Sequence, residues 1–241
     1  MKSNPRKKLA VITGGGSGIG LALAHAFIRS GYAIVISGRD KERLRRGVQE
    51  LKAGNETPSV DAIPCDVRDP ASVNRFFATI RKRFSAIDVL INNAGVAHGL
   101  APVAKLDSEV WKRVIETNLT GTFLVTRAAL PMMHAGATIV NNLSIAAVQT
   151  FSGMSAYNAS KAGGLGFTNA LREELREQGI RVLALMPGAT DTEIWRQFWP
   201  DAPREKMISP ETVAAAVLHA VSAPAVAAVE EIRIGPAAGG L

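Results

Sequence analysis

Short apolar runs rich in β-branched residues recur along the chain: Leu9–Thr13, Ala33–Ser37, Val60–Pro64, Val89–Asn92, Thr138–Leu143, Val182–Met186 and Glu231–Ile234. Most are continuously apolar rather than alternating, which is the pattern of strands covered on both faces. The stretches between them are amphipathic and carry readable helix starts. Asp69-Pro70 and Ser209-Pro210 each set a capping side chain before a proline at the first helical position. Strand and helix alternating through short connections predict an α/β fold, a doubly wound parallel sheet of about seven strands with helices on both faces. No linker, repeat or low-complexity stretch interrupts residues 1–241, so one domain is expected.

Composition narrows the function classes. With 241 residues, 47% of them hydrophobic, the chain can bury a large core without disulfides or metal and is not a disordered polymer. A single cysteine, Cys65, excludes a disulfide framework and a multi-cysteine metal cluster and points to a reducing, cytoplasmic setting. The net charge of +7 comes from scattered basic residues, often beside acids and without interleaved aromatics, so a solvated basic surface is expected rather than a nucleic-acid partner. Lys2–Lys8 followed by Leu9–Ile12 resembles the start of a signal peptide, but glycines from Gly14 onward break the apolar run. Val213–Val229 is interrupted by His219, Ser222 and Pro224, so no membrane span is expected.

Immediately after the first strand comes Thr13-Gly-Gly-Gly-Ser-Gly-Ile-Gly20, then a helix expected over Leu21–Arg29. In that context Gly14 permits a sharp turn, Gly18 a close approach of backbone to a pyrophosphate, and Gly20 tight packing of helix on strand. The helix N-terminus adds free N–H groups and partial positive charge, which suits phosphate. The second strand ends Ile36-Ser-Gly-Arg39, with Gly38 where an acid would accept from a ribose 2′-hydroxyl. A guanidinium at Arg39 suits a 2′-phosphate instead, so NADP(H) is favoured and NAD(H) is the lesser option.

Tyr157-Asn-Ala-Ser-Lys161 opens a helix expected to run toward Gln178 and sets phenol and ammonium on one helical face. A cation so placed favours phenolate and would lower the tyrosine pKa toward the range needed for proton exchange with an alcohol or carbonyl. Ser144, just past the fifth strand, faces the cleft where ligands of such sheets bind.

These residues, with Asp66 after the third strand, Asn92-Asn-Ala-Gly95 after the fourth, Asn118, and Pro187-Gly188 with Thr192, give the chain a close resemblance to the short-chain dehydrogenase/reductase family from Lys8 to the last strand. The resemblance implies a Rossmann fold and an NAD(P)-dependent oxidoreductase interconverting a carbonyl and a secondary alcohol. It implies Tyr157 as general acid or base, Ser144 holding the substrate oxygen, and Lys161 holding the nicotinamide ribose and lowering the Tyr157 pKa. Asn118 would interrupt its helix and hold a water relaying protons from Lys161. Gly14, Ser17, Gly18, Ile19 and Gly20 would hold the pyrophosphate side of the cofactor, Asp66 and Val67 the adenine. Asn93, Ala94 and Gly95 would line the cleft, Pro187 and Gly188 shape the nicotinamide pocket, and Thr192 bind the carboxamide or a phosphate oxygen. It also implies a homo-oligomer, dimer or tetramer, through the helices after Glu109 and Tyr157. The alternative on the same fold is a non-catalytic NAD(P)-binding sensor or scaffold; the intact Ser-Tyr-Lys set disfavours it.

One departure concerns the glycine turn, where NADP-preferring relatives often carry a basic residue. This chain has Ser17, which leaves Arg39 nearly alone on a 2′-phosphate. The four histidines have no ligand spacing, so no metal is expected. His98 is read as an exposed loop residue, with reach into the substrate pocket as the less favoured option. Trp195, Phe198 and Trp199, within a segment near 190–208, are expected to form a lid over an apolar substrate.

Overall fold

The computed structural model describes residues 6–53, 59–224 and 226–239; Lys2, at the start of the signal-peptide-like stretch, and the last two residues lie outside them. Strands β1 (Leu9–Thr13), β2 (Ala33–Gly38), β3 (Val60–Pro64), β4 (Val89–Asn92), β5 (Thr138–Asn142), β6 (Arg181–Pro187) and β7 (Glu231–Ile234) form one parallel sheet in the order β3-β2-β1-β4-β5-β6-β7. The expected strands fall within a residue of these ends; Leu143, expected to close β5, lies one residue past it. The chain runs outward from β1 to β3, then crosses back to β4 on the other side of β1. That reversal leaves a crevice at the carboxyl ends of β1 and β4.

Helices α1 (Gly18–Arg29), α2 (Lys41–Lys52) and α7 (Pro210–Val221) join one hydrophobic layer; α3 (Pro70–Arg81), α5 (Gly121–Ala129) and α6 (Ser155–Leu175) contribute to the other. Strand geometry explains why continuously apolar strands serve both. On β1, Ala10 and Ile12 pack with the α1 layer, and Leu9 and Val11 with the α3 layer. Asp69 accepts from the Ala71 N–H at the start of α3, and Ser209 from the Thr212 N–H at the start of α7, so both expected caps are formed.

Helix α4 (Ser108–Ile115) runs into a five-residue π turn, Glu116–Thr120, before α5 continues the path. The core is not wholly apolar. Asn92 donates to Asn141 Oδ1 at 2.8 Å and to Thr126 Oγ1 at 2.9 Å, while Asn141 donates to Thr168 Oγ1 at 2.9 Å. This polar chain joins β4, β5, α5 and α6 with all four side chains buried. Unpaired, such groups would each cost about 1–3 kcal/mol, so paired they rigidify the sheet's centre.

Candidate active site

The crevice opens into one cleft of about 1330 Å³ running from the glycine turn to Trp199. Gly14 and Gly18 have φ of +64° and +52°, a region that side-chain-bearing residues rarely adopt. Gly20 acts by packing: a Cβ there would overlap the Gly14 carbonyl oxygen and stand 2.5 Å from Asn93 Nδ2. Ser17 precedes α1 in extended conformation and makes no side-chain cap, so the first N–H groups of the helix face the cleft without an intramolecular acceptor from it. Two left-handed glycines, bare N–H groups and the elongated cleft fit a dinucleotide, the pyrophosphate at the helix N-terminus and the two nucleosides on either side.

Of the expected positions, Gly14, Ser17, Gly18, Ile19, Arg39, Asp66, Val67, Asn93, Ala94, Gly95, Ser144, Tyr157, Lys161, Pro187, Gly188 and Thr192 all line this cleft. Gly20 and Asn118 stand behind its wall. Asn118 lies in the π turn with its side chain fully engaged: Oδ1 accepts from Val96 N–H at 2.9 Å, and Nδ2 donates to the Val96 carbonyl and to Ser160 Oγ. Its backbone carbonyl also accepts from Thr122 Oγ1 at 2.9 Å. Asp66 is held below the usual carboxylate range, chiefly by hydrogen bonds from Arg68, and so stays ionised where it lines the cleft.

At the floor, Ser144 Oγ accepts from the Ala146 N–H at 3.1 Å and lies in hydrogen-bonding reach of Tyr157. Lys161 Nζ sits 5.5 Å from the Tyr157 ring centroid and donates to the Asn142 carbonyl at 3.0 Å. α6 begins at Ser155, two residues before Tyr157, and ends at Leu175 short of Gln178. Burial pushes the Tyr157 phenol above its ordinary 10, with the Ser144 contact opposing. This corrects the expectation of a depressed pKa. Burial also pulls Lys161 down to about 8, so desolvation dominates both groups.

Three residues that the sequence reading passed over shape the site. Asn142 donates to Asn93 Oδ1 at 2.8 Å, and Asn93 Nδ2 donates to the Thr13 and Gly14 carbonyls. A hydrogen-bonded path therefore runs from the glycine turn through Asn93 and Asn142 to Lys161. Arg43, on α2, brings Nη1 to 3.4 Å from Ser17 Oγ, so Arg39 is not the lone cation at that end. Its signal was legible four residues after Arg39. Gln197 accepts from the Ala97 N–H at 3.0 Å and ties the 190–208 segment to the loop after β4.

That segment leaves and rejoins the body at one place, where Thr190 bridges Ile208 and Asp191 N–H donates to the Ile208 carbonyl. Trp195 donates through Nε1 to the Thr190 carbonyl at 2.8 Å, and its ring packs on Phe198 at 4.8 Å and Trp199 at 6.1 Å. His98 is buried, not an exposed loop residue; its Nδ1 meets the Gly99 carbonyl at 2.7 Å, and it does not line the cleft. Cys65 is buried too, its thiol pushed up to about 11 by desolvation, which makes it inert filler rather than a nucleophile.

A family model described as short chain dehydrogenase matches residues 8–203. An uncharacterized oxidoreductase of Staphylococcus aureus (strain MW2) is 32% identical over 231 residues, covering 95% of this chain and 97% of the relative. Among solved structures, an alcohol dehydrogenase of the archaeon Thermococcus sibiricus complexed with 5-hydroxy-NADP superposes with a TM-score of 0.87 at 28% identity, covering 96% of this chain and 97% of that one. A 3-ketoacyl-(acyl-carrier-protein) reductase of Brucella melitensis complexed with NADH gives 0.85 at 28% identity, covering 94% and 96%. A matched family model over most of the chain, relatives of the same length and a sheet order that opens its crevice beside β1 and β4 agree: this protein belongs to the short-chain dehydrogenase family and is an oxidoreductase of that family.

Proposed function

We propose that the protein is an NADPH-preferring carbonyl reductase, interconverting a ketone or aldehyde and its alcohol, with Ser144, Tyr157 and Lys161 as its working groups. The observation that carries this reading is the meeting of these three side chains on the cleft floor. The cofactor supplies or takes up the hydride. Ser144 holds the substrate oxygen, and Tyr157 passes it a proton. Lys161, anchored by the Asn142 carbonyl, holds the nicotinamide ribose and returns a proton to the phenol, with the Asn118 carbonyl leading toward solvent. A phenol kept protonated by burial favours the reductive direction at neutral pH, since it is already an acid there.

Arg39 supports the NADPH preference. It is exposed, lines the cleft and has no hydrogen bond or ion pair among the described residues. Arg39→Asp is expected to weaken NADPH binding about a hundredfold, through loss of a charged contact plus like-charge repulsion, and to invert the preference toward NADH. Parallel fluorescence titrations of both dinucleotides test this; an unaltered ratio would place the 2′-phosphate elsewhere.

The 190–208 segment supports a bulky, uncharged substrate. Leu100, Phe151, Met154, Trp195, Phe198 and Trp199 line the cleft beyond Ser144. Trp195→Ala is expected to raise KM about tenfold for aromatic ketones and much less for small ones, because it removes the pinned ring that the other aromatics lean on. Equal KM changes across a size series of carbonyls would sink the lid reading.

We further place the enzyme in the cytoplasm as a homo-oligomer. No described helix is long and apolar enough to cross a membrane. Trp111 on α4 and Phe123 on α5 remain 42% exposed, with Phe123 edge-on to Phe167 of α6, an apolar face suited to a second copy. Sedimentation as a monomer at micromolar concentration would refute the assembly.

A further inference from the structure

We infer that Arg43 is a second, specificity-determining ligand of the 2′-phosphate, and that the Glu193 carboxylate of the 190–208 segment holds its place until that phosphate arrives. The inference rests on the dinucleotide reading above and adds a residue and a regulation to it.

Arg43 is the third residue of α2, and the start of that helix sits on the glycine turn: a Cβ at Gly16 would stand 3.3 Å from both Cγ and the carbonyl oxygen of Arg43. This seating fixes where the guanidinium can reach. Nη1 lies 3.4 Å from Ser17 Oγ, and Nη2 lies 3.6 Å from Glu193 Oε2. Arg39 lines the same end of the cleft. Asp40, the carboxylate nearest in sequence, is occupied in accepting from the Glu42 and Arg43 N–H groups as the cap of α2. Two guanidiniums therefore border the place where the second strand's end would receive a ribose, one with no ion pair among the described residues and one loosely held.

The hold is weak by its geometry. Both side chains of the Arg43–Glu193 pair are about half exposed, at 45% and 53%, and an exposed pair of this length is worth little. A phosphate monoester brings nearly two negative charges and three acceptor oxygens, so it outcompetes one carboxylate for a planar fork. Glu193 is not stranded by the exchange, since Arg196 Nη2 already lies 3.5 Å from its Oε1. The same segment touches the turn directly, for a Cβ at Gly18 would stand 3.2 Å from Thr192 Cγ2. Arrival of a 2′-phosphate thus releases the root of the substrate segment, while NADH, lacking that group, leaves the pair in place.

Calorimetric titration of NADPH and NADH into wild type, R43Q, E193Q and the double variant tests this without any turnover. R43Q is expected to weaken NADPH about tenfold and leave NADH within about twofold, the loss of one charged hydrogen-bonding partner. E193Q is expected to tighten NADPH about threefold, and the gain should vanish in the double variant because Glu193 acts through Arg43. Equal weakening of both dinucleotides by R43Q, or none, overturns Arg43 as a 2′-phosphate ligand. Unchanged NADPH affinity in E193Q overturns the Glu193 latch. A wild type that binds NADH as tightly as NADPH refutes the underlying cofactor reading, which R43Q failing alone would not.

Discussion

Tyr157→Phe is expected to lower turnover by about three orders of magnitude while dinucleotide affinity stays within about twofold. The substitution removes one oxygen from a side chain whose ring is otherwise retained, and Lys161 keeps its anchor on the Asn142 carbonyl. What disappears is the proton that the reacting oxygen must gain or lose. The pH profile of the unmodified enzyme carries the same information. Reduction uses a protonated phenol, raised above 10 by burial, and a protonated ammonium titrating at about 8. Its rate should hold through neutral pH and fall above about 8, whereas alcohol oxidation, which must shed a proton from the pair, should rise over the same interval. A Tyr157→Phe protein retaining a tenth of its activity would remove the phenol from the mechanism.

The second large effect has two opposed signs. Lys161→Met is expected to abolish turnover and to stabilise the fold. Lys161 is 6% exposed and, among the described residues, its ammonium has one hydrogen-bond acceptor, the Asn142 carbonyl, so most of its hydration is lost on folding. Its pKa falls from 10.5 unfolded to about 8 folded. Below about pH 8 both states bind the proton and the penalty for burying the charge is fully felt. Between about 8 and 10.5 the unfolded chain binds more protons, so stability climbs with pH, and above 10.5 the penalty is gone. Methionine fills similar volume without the charge, which should raise stability at neutral pH by roughly 1–2 kcal/mol, or roughly 3–6 °C in Tm. The alkaline rise should flatten in the variant. A lower Tm, or an unchanged alkaline rise, would show that the folded protein does not hold Lys161 under strain.

That strain was not readable from the sequence. The i, i+4 spacing of Tyr157 and Lys161 announces that they are neighbours, and spacing alone points to attraction between them. Desolvation depends on how deeply α6 is packed, which only the assembled layers determine. Local signals are legible where local physics decides: continuous apolar runs mark the strands, and Asp69 and Ser209 mark two helix starts. Residues acting across distance were missed. Asn142 matters because β5 pairs with β4 in a way that sets it beside Asn93. Arg43 matters because α2 leans on a turn 26 positions earlier. Gln197 reaches back 100 positions to Ala97. His98 looked like a loop residue in sequence and is enclosed by the fold.

The buried amides of Asn92 and Asn141 solve a problem that the apolar strands create. A parallel strand that is hydrophobic on both sides can slide against its neighbour with little change in what it buries, so greasiness alone sets alignment poorly. Asn92 stands directly opposite Asn141 in the β4–β5 pairing. A slip of one residue would separate the two amides and strand their hydrogen-bonding groups in an apolar interior, at several kcal/mol. The pair therefore works as a key cut for one alignment only. That alignment also sets Asn93 beside Asn142 one step further along, so a lock in the core fixes how the glycine turn and Lys161 are spaced across the mouth of the sheet.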